Sequence, residues 1–100
     1  MKPTDADSAA VPELNQSREE IAVIDSEIVR LLLKRVEIAR RTGMLKRANG
    51  LPILDPQREA QVIRSAVARA RELGLDEEPI RGIFWHILGM SRKAQQAEEK

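Results

Sequence analysis

Two basic residues occupy positions of a predicted helix that should be apolar. At 100° per residue from Ile28, alternating steps of four and three residues lead to Leu32, Arg35, Ala39, Thr42 and Lys46, the spacing of a buried seam. Arg35 and Lys46 lie about 16 Å apart along this seam, with no acidic residue on it between them. Because an unpaired buried charge is costly, the pair indicates an anion-binding site. The alternative is that both long side chains extend past the edge of a core into solvent.

Polar residues also interrupt the apolar faces of two further predicted helices. The apolar line of the third helix continues into Ser91 and Gln95, and Asp55, Arg58 and Glu59 share one face of a first helical turn. Each has an ordinary explanation: a small residue at a helix crossing, a solvated helix end, or an N-cap with an ion pair. Together with the two seam cations they predict one polar pocket in an aliphatic bundle. Since cations predominate, its ligand would be a small polyanion that carries hydroxyl groups.

The composition narrows the chemistry that such a pocket could perform. The 100 residues include no Cys and a single His, which excludes disulfides, thiolate zinc sites and Cys nucleophiles. We interpret that residue, His86, as structural, because no second His or Cys could join it at a metal. Trp85 is interpreted as a packing residue. An enzyme of this composition would use Arg, Lys and carboxylates, without a metal.

Charge and hydropathy bear on partners and location. The chain has 17 Lys and Arg against 16 Asp and Glu, and this balance disfavours nucleic acid or an anionic membrane as a partner. No apolar run approaches the roughly 18 residues of a membrane span, and residues 1–10 contain no hydrophobic stretch typical of a signal peptide. We therefore expect a cytoplasmic protein.

A long helix must position the seam cations. Residues 1–14 are polar and contain two prolines, so we predict a disordered N-terminal tail there. From Asn15 to about Arg47 the apolar residues recur at helical spacing, and Asn49–Gly50 is a stop signal. A helix of this length would extend about 45 Å, whereas a compact domain of this size has a radius of gyration of about 13 Å. The helix should therefore protrude or pack against another chain.

Two shorter helices complete the predicted all-α fold. Asp55 is the predicted N-cap of the second helix, and Pro56 follows it at the first helical position. Gly74–Leu75 is typical of a Schellman motif, which would end this second helix. Asp76 is the predicted N-cap of the third helix, whose last residues should fray. The prediction is one domain with one long helix and two shorter ones.

The polar residues occur in an order that resembles the all-helical chorismate mutases of the shikimate pathway. The resemblance is carried by Arg18-x2-Ile21-x2-Ile24-Asp25-x2-Ile28, Leu32-x2-Arg35, Lys46, Pro52-Ile53-x-Asp55-x2-Arg58-Glu59 and Ser91-x3-Gln95. Each piece alone is unspecific, whereas the ordered set is specific. It spans roughly residues 15–96 without a gap, and we assign residues 15–97 to one mutase-like helical domain. Around Ser91 the chain departs from the family pattern, with Gly89–Met90 before it and Arg92–Lys93 after it.

The resemblance implies an intertwined homodimer with two equivalent pockets, each completed by an arginine from the partner's long helix. It implies that Arg35, assisted by Ser91, and the partner's Arg18 bind the substrate carboxylates. Lys46 and Gln95 would donate to the ether oxygen whose bond breaks. Glu59 would take the ring hydroxyl, helped by the backbone near Asp55, with Arg58 on the same wall. The implied catalytic residues are Lys46, Gln95, Arg35 and Glu59.

The implied reaction is the rearrangement of chorismate to prephenate, in phenylalanine and tyrosine biosynthesis. This pericyclic step is unimolecular and needs no nucleophile, proton transfer or cofactor, which accords with a pocket that lacks Cys and His. Two alternatives stay open. An isochorismate-pyruvate lyase uses the same scaffold and similar cations, although the start of the second helix favours the mutase. A non-catalytic helical association module would explain the long amphipathic helix but not the cations on its seam.

Overall fold

The computed structural model describes residues 11–97, which form three α-helices and no strand. Helix α1 spans Pro12–Ala48, α2 spans Pro56–Leu73 and α3 spans Glu77–Gln96. The predicted all-α class, with one long helix and two shorter ones, is confirmed. None of the helices within the described range is long and apolar enough to cross a membrane.

Helix α1 begins at Pro12, three residues before the predicted start at Asn15. The carbonyl oxygen of Val11 accepts hydrogen bonds from the amides of Leu14 and Asn15 at 3.0 and 3.2 Å. Proline is tolerated there because the first helical amide has no partner within the helix. Residues 12–14 of the predicted tail are therefore helical, and its residues 1–10 lie outside the described range.

Helices α1 and α2 both end in the glycine motif that their sequences predict. Gly50 and Gly74 have φ angles of 65° and 76°, in the left-handed region that glycine enters without steric cost. The amides of Leu51 and Leu75, one residue further on, each donate at 2.8 Å to a carbonyl in the last turn of the preceding helix. These are Schellman motifs, and they fix where the chain leaves each helix.

The starts of α2 and α3 differ in how they are capped. The Asp55 carboxylate accepts from the Arg58 amide at 3.1 Å, and Pro56 follows it, as predicted. Asp76 stands at the N-cap of α3, as predicted, but its side chain makes no capping hydrogen bond. The acid that follows it, Glu77, instead accepts two hydrogen bonds from Arg71 of α2, at 2.9 and 3.0 Å.

The chain divides into two units, residues 1–33 and 34–100. In the first, the part of α1 that belongs to this unit presents large apolar side chains that are 50–66% exposed: Ile21, Val23, Ile24, Ile28, Val29, Leu31 and Leu33. In the second, α2 packs against α3 around a core of Ile63, Val67 and Leu88, with Val62 and Phe84 against it. This second unit contains all the residues that line the pocket described below.

Gly43 of α1 provides the space for the end of α3. It is buried, and a Cβ placed on it would overlap the carbonyl oxygen of Gln95 and lie 2.7 Å from the Gln95 Cα. The obstructing atoms are backbone, which cannot move aside as the tip of a flexible side chain could. At Gly82, in the interior of α3, no atom lies within 4 Å of the equivalent Cβ position apart from the backbone of its own helix and its chain neighbours.

We predict opposite effects of the same substitution at these two glycines. Gly43→Ala forces the end of α3 away from α1 and should lower the free energy of unfolding by about 1–3 kcal/mol. Gly82→Ala removes a flexible residue from a helix interior and should raise it by about 0.5–1 kcal/mol. Urea unfolding followed by circular dichroism measures both. Equal effects at the two positions would show that the close approach at Gly43 does not constrain α3.

Candidate active site

A pocket of about 460 Å³ lies within the unit formed by residues 34–100. Its apolar wall includes Ile38, Ala39, Val62 and Leu88. All but one of the predicted site residues line the remainder: Arg35, Lys46, Asp55, Arg58, Glu59, Ser91 and Gln95. The exception is Arg18, a half-buried residue of the other unit that is not part of this lining. The structure thus brings together side chains from three helices that are up to 60 residues apart in sequence.

Arg35 donates a hydrogen bond through Nη1 to the Ser91 hydroxyl oxygen. Ser91 is 7% exposed and belongs to the face of α3 that is buried. Burial, and to a lesser extent repulsion by the Arg58 guanidinium, lowers the pKa of Arg35 from its usual value. The residue nevertheless stays charged at neutral pH. A bound anion would offset both destabilising effects, so this part of the pocket is suited to a carboxylate.

Lys46 and Gln95 meet at 2.7 Å, where the ammonium Nζ donates to the amide Oε1. Lys46 Nζ also donates at 3.0 Å to the carbonyl oxygen of Ile53, in the connection between α1 and α2. An ammonium has three N–H donors, and an amide whose oxygen is engaged still carries two more on Nε2. The two side chains therefore place several hydrogen-bond donors, one of them cationic, at the same part of the pocket.

Arg47 holds the backbone that carries Gln95. Its Nη1 donates to the Gln95 carbonyl oxygen at 2.6 Å, and its Nη2 donates to the Ala97 carbonyl oxygen at 3.3 Å. The last carbonyls of a helix lack partners within the helix, and a cation near them is also favourable for the helix dipole. Sequence reasoning missed this role, because Arg47 served there only to mark the approximate end of the first helix.

Glu59 forms a two-point ion pair with Arg92 of α3. Arg92 Nη2 donates to Oε1 at 2.8 Å and Arg92 Nε donates to Oε2 at 3.1 Å. Hydrogen bonding to this carboxylate raises the pKa of Arg92. The ordinary explanation considered for these residues, an N-cap with an ion pair, is correct for the Asp55 cap. The partner of Glu59, however, comes from another helix, since Arg58 instead donates to Gln61 at 3.2 Å.

Two further residues singled out in the sequence lie outside the pocket. His86 and Trp85 of α3 are both exposed in the isolated chain, Trp85 by 56%, so neither is a core residue of it. Among residues 11–97 no cluster of three or more His, Cys, Asp or Glu side chains could hold a metal ion.

The comparison with protein families shows to which family this chain belongs. The sequence profile of the family described as "Chorismate mutase type II" matches residues 17–96. The chain belongs to this family. The match covers the residues of all three helices that line the pocket.

Individual relatives agree with the family assignment. The chain is 39% identical over 70 residues to the "Intracellular chorismate mutase" of Mycobacterium tuberculosis, covering 70% of this chain and 63% of that protein. It is 33% identical over 78 residues to the "T-protein" of Enterobacter agglomerans, covering 78% of this chain and 21% of that protein. A solved structure, a "Conserved hypothetical protein" from Pyrococcus furiosus, superimposes with a TM-score of 0.68 at 40% identity, over 84% of this chain and 96% of that one.

Some of the relatives are much longer than this chain. The chain spans about a fifth of the T-protein of Enterobacter agglomerans and 18% of the "Bifunctional chorismate mutase/prephenate dehydratase" of Aquifex aeolicus. The matched residues are therefore a helical segment that also occurs within much longer proteins.

Proposed function

We propose that the protein is a chorismate mutase, which rearranges chorismate to prephenate in the biosynthesis of phenylalanine and tyrosine. The observation that carries the proposal is the pair Lys46–Gln95, joined at 2.7 Å in a pocket that also presents Arg35. Membership of the chorismate mutase type II family supports the same reaction. Chorismate is a small dicarboxylate with one ring hydroxyl, and it has the charge that a pocket rich in cations requires.

In this reaction one carbon–oxygen bond of the ether breaks while a new carbon–carbon bond forms, within a single molecule. No group is transferred to the protein, so its residues act by restraint and by electrostatic stabilisation. Arg35, supported by Ser91, binds a substrate carboxylate and selects the folded conformer in which the reacting carbons are close. Holding such a conformer removes part of the entropic barrier before the chemical step.

The breaking ether bond develops negative charge on its oxygen. Lys46 and Gln95 donate hydrogen bonds to that oxygen, and they are already placed before the charge develops, so that little reorganisation is needed. Glu59 accepts the hydrogen bond of the ring hydroxyl, while Asp55 caps α2 and Arg58 lines the same wall. No cofactor or metal takes part in the proposed reaction.

We also propose that the active protein is an intertwined homodimer and that Arg18 acts in the pocket of its partner. The exposed apolar residues of α1 between Ile21 and Leu33 are the surface that a second copy would cover. Arg18 precedes Arg35 by 17 residues, and an ideal helix rises about 25 Å over that number of residues. An antiparallel partner helix can bring the two guanidinium groups together. A cytoplasmic location, with neither a membrane nor nucleic acid as partner, completes the proposal.

The product formed by the purified protein tests the proposed function. Chorismate should yield prephenate, and isochorismate should yield no pyruvate. Pyruvate with salicylate from isochorismate would identify the lyase alternative instead. Protein that converts neither compound would point to the association module, and would contradict the mutase.

Lys46→Ala and Gln95→Ala should each lower kcat by about 10² to 10³, because each removes a donor to charge that develops in the transition state. Two exposed residues of α3 supply controls of the same residue types: Lys93→Ala and Gln96→Ala, which lie outside the pocket lining, should retain nearly full activity. Steady-state kinetics with chorismate, together with thermal unfolding of each variant, separates the loss of turnover from loss of fold. A loss below fivefold in both pocket variants would exclude the assigned role at the ether oxygen.

Arg18→Ala and Lys46→Ala chains, each nearly inactive, should restore activity to each other when subunits exchange. In a twofold dimer half of the randomly paired dimers are mixed, and each has one pocket with both residues intact. About a quarter of the original activity should therefore return.

Arg35→Ala mixed with Lys46→Ala is the control for this complementation. Both residues belong to the same chain's pocket, so no mixed dimer contains an intact site and no activity should return. Exchange is verified by native mass spectrometry. Verified exchange without recovery for the Arg18 and Lys46 pair would rule out the action of Arg18 across the dimer.

A further inference from the structure

Arg92 lies beside the pocket without lining it, and it holds the one acid of the lining that pairs with another helix. Its Nη2 and Nε contact the two different carboxylate oxygens of Glu59, at 2.8 and 3.1 Å. The side chains are 32% and 22% exposed, so the pair is partly shielded from water. It connects the first turn of α2 with the last turns of α3, next to Ser91.

A two-point contact fixes more than distance. Because the planar guanidinium engages both oxygens, it sets the plane and the rotation of the carboxylate, which a single donor would not. Each carboxylate oxygen has two lone-pair directions, so each can accept a second hydrogen bond from a ligand in the pocket. Partial shielding strengthens the pair relative to a fully exposed one.

We propose that Arg92 is a positioning residue: it keeps the Glu59 carboxylate turned so that this group accepts the hydrogen bond of a substrate hydroxyl. This inference rests on the proposed function for the identity of the substrate. Removing Arg92 takes away the two donors that set the plane and the rotation of this carboxylate. The carboxylate is then free to rotate, so it meets the substrate hydroxyl in the required orientation only part of the time.

The chain contains a matched control for this effect. Arg71 and Glu77 form a second two-point pair between the same two helices, with distances of 2.9 and 3.0 Å. Neither residue lines the pocket described above. Arg71→Ala therefore removes a comparable link between α2 and α3 without touching Glu59.

The experiment compares Arg92→Ala, Arg92→Lys and Arg71→Ala with the unsubstituted protein. Two quantities are measured for each: kcat/KM for chorismate, and the order parameter of the Glu59 side chain from ¹³C NMR relaxation, assigned with Glu59→Gln. Arg92→Ala should lower the order parameter of the Glu59 side chain, because the two-point contact that restrains it is lost. It should also lower kcat/KM by about tenfold, because the carboxylate is no longer fixed in orientation.

The other variants assign these changes. Arg92→Lys keeps the charge but not the two-point geometry, so it should restore only part of the order parameter and only part of kcat/KM. Arg71→Ala should leave both quantities unchanged. The double variant Glu59→Ala with Arg92→Ala should lose no more activity than Glu59→Ala alone, since the group that Arg92 positions is then absent.

Two results would overturn the inference: an unchanged Glu59 order parameter and kcat/KM in Arg92→Ala, or equal changes in Arg71→Ala. The NMR relaxation measurement needs no turnover, so it separates this failure from that of the proposed function. Absence of prephenate together with the expected loss of order at Glu59 would refute the mutase proposal while retaining the coupling between Arg92 and Glu59.

Discussion

The pocket concentrates positive charge that its own side chains do not neutralise. Arg35 and Arg58 are close enough for repulsion to contribute to the lowered pKa of Arg35. Of the two acids in the lining, Asp55 caps α2 and Glu59 is paired with Arg92. A protein gains nothing in stability from such an arrangement, since like charges near one another and partly removed from water are unfavourable. The arrangement fits the anionic ligand proposed above, and other features of the second unit keep these groups in place.

The end of α3 shows how that placement is achieved. Gln95 lies in the last turn of a helix, where backbone hydrogen bonds are normally weakest. Here the absence of a side chain at Gly43 lets α1 approach the Gln95 backbone, and Arg47 binds two carbonyls of the terminal turn. Three residues within one turn and a half of α1, at positions 43, 46 and 47, thus fix the backbone and the side chain of Gln95.

Local signals in the sequence predicted the helices well. The Schellman glycines at 50 and 74 and the Asp55 cap each depend on a few neighbouring residues, so their chemistry could be read directly. The position of Arg35 and Lys46 on the seam was also predicted from the sequence, because helical periodicity alone places them on one face. The start at Pro12 was missed because a polar, proline-containing segment resembles a tail, although proline is favoured at a first helical position.

What the sequence could not reveal are contacts between helices distant in sequence. Arg92 stood out only as a basic residue after Ser91, and its pairing with Glu59, 33 residues away, depends on how α2 and α3 pack. Likewise, Glu77 binds Arg71, whereas the side chain of Asp76 makes no capping hydrogen bond. Local rules do not predict which of these two adjacent acids forms a contact. The roles of the lining residues, and of Arg18 across a dimer, were carried by resemblance rather than by physical argument.

The hydrogen bond from Lys46 to the Ile53 carbonyl restrains the connection between α1 and α2, so that the number of residues in this connection matters. The short segment from Asn49 to Asp55 begins with one helix stop, contains the acceptor for a pocket lysine and ends with the next helix cap. Most surface connections tolerate insertions, but one extra residue here would displace the lysine's acceptor from the cap that follows it. Protein engineers who wish to split the chain, permute it or insert a reporter should therefore look to the Gly74 turn rather than to this segment.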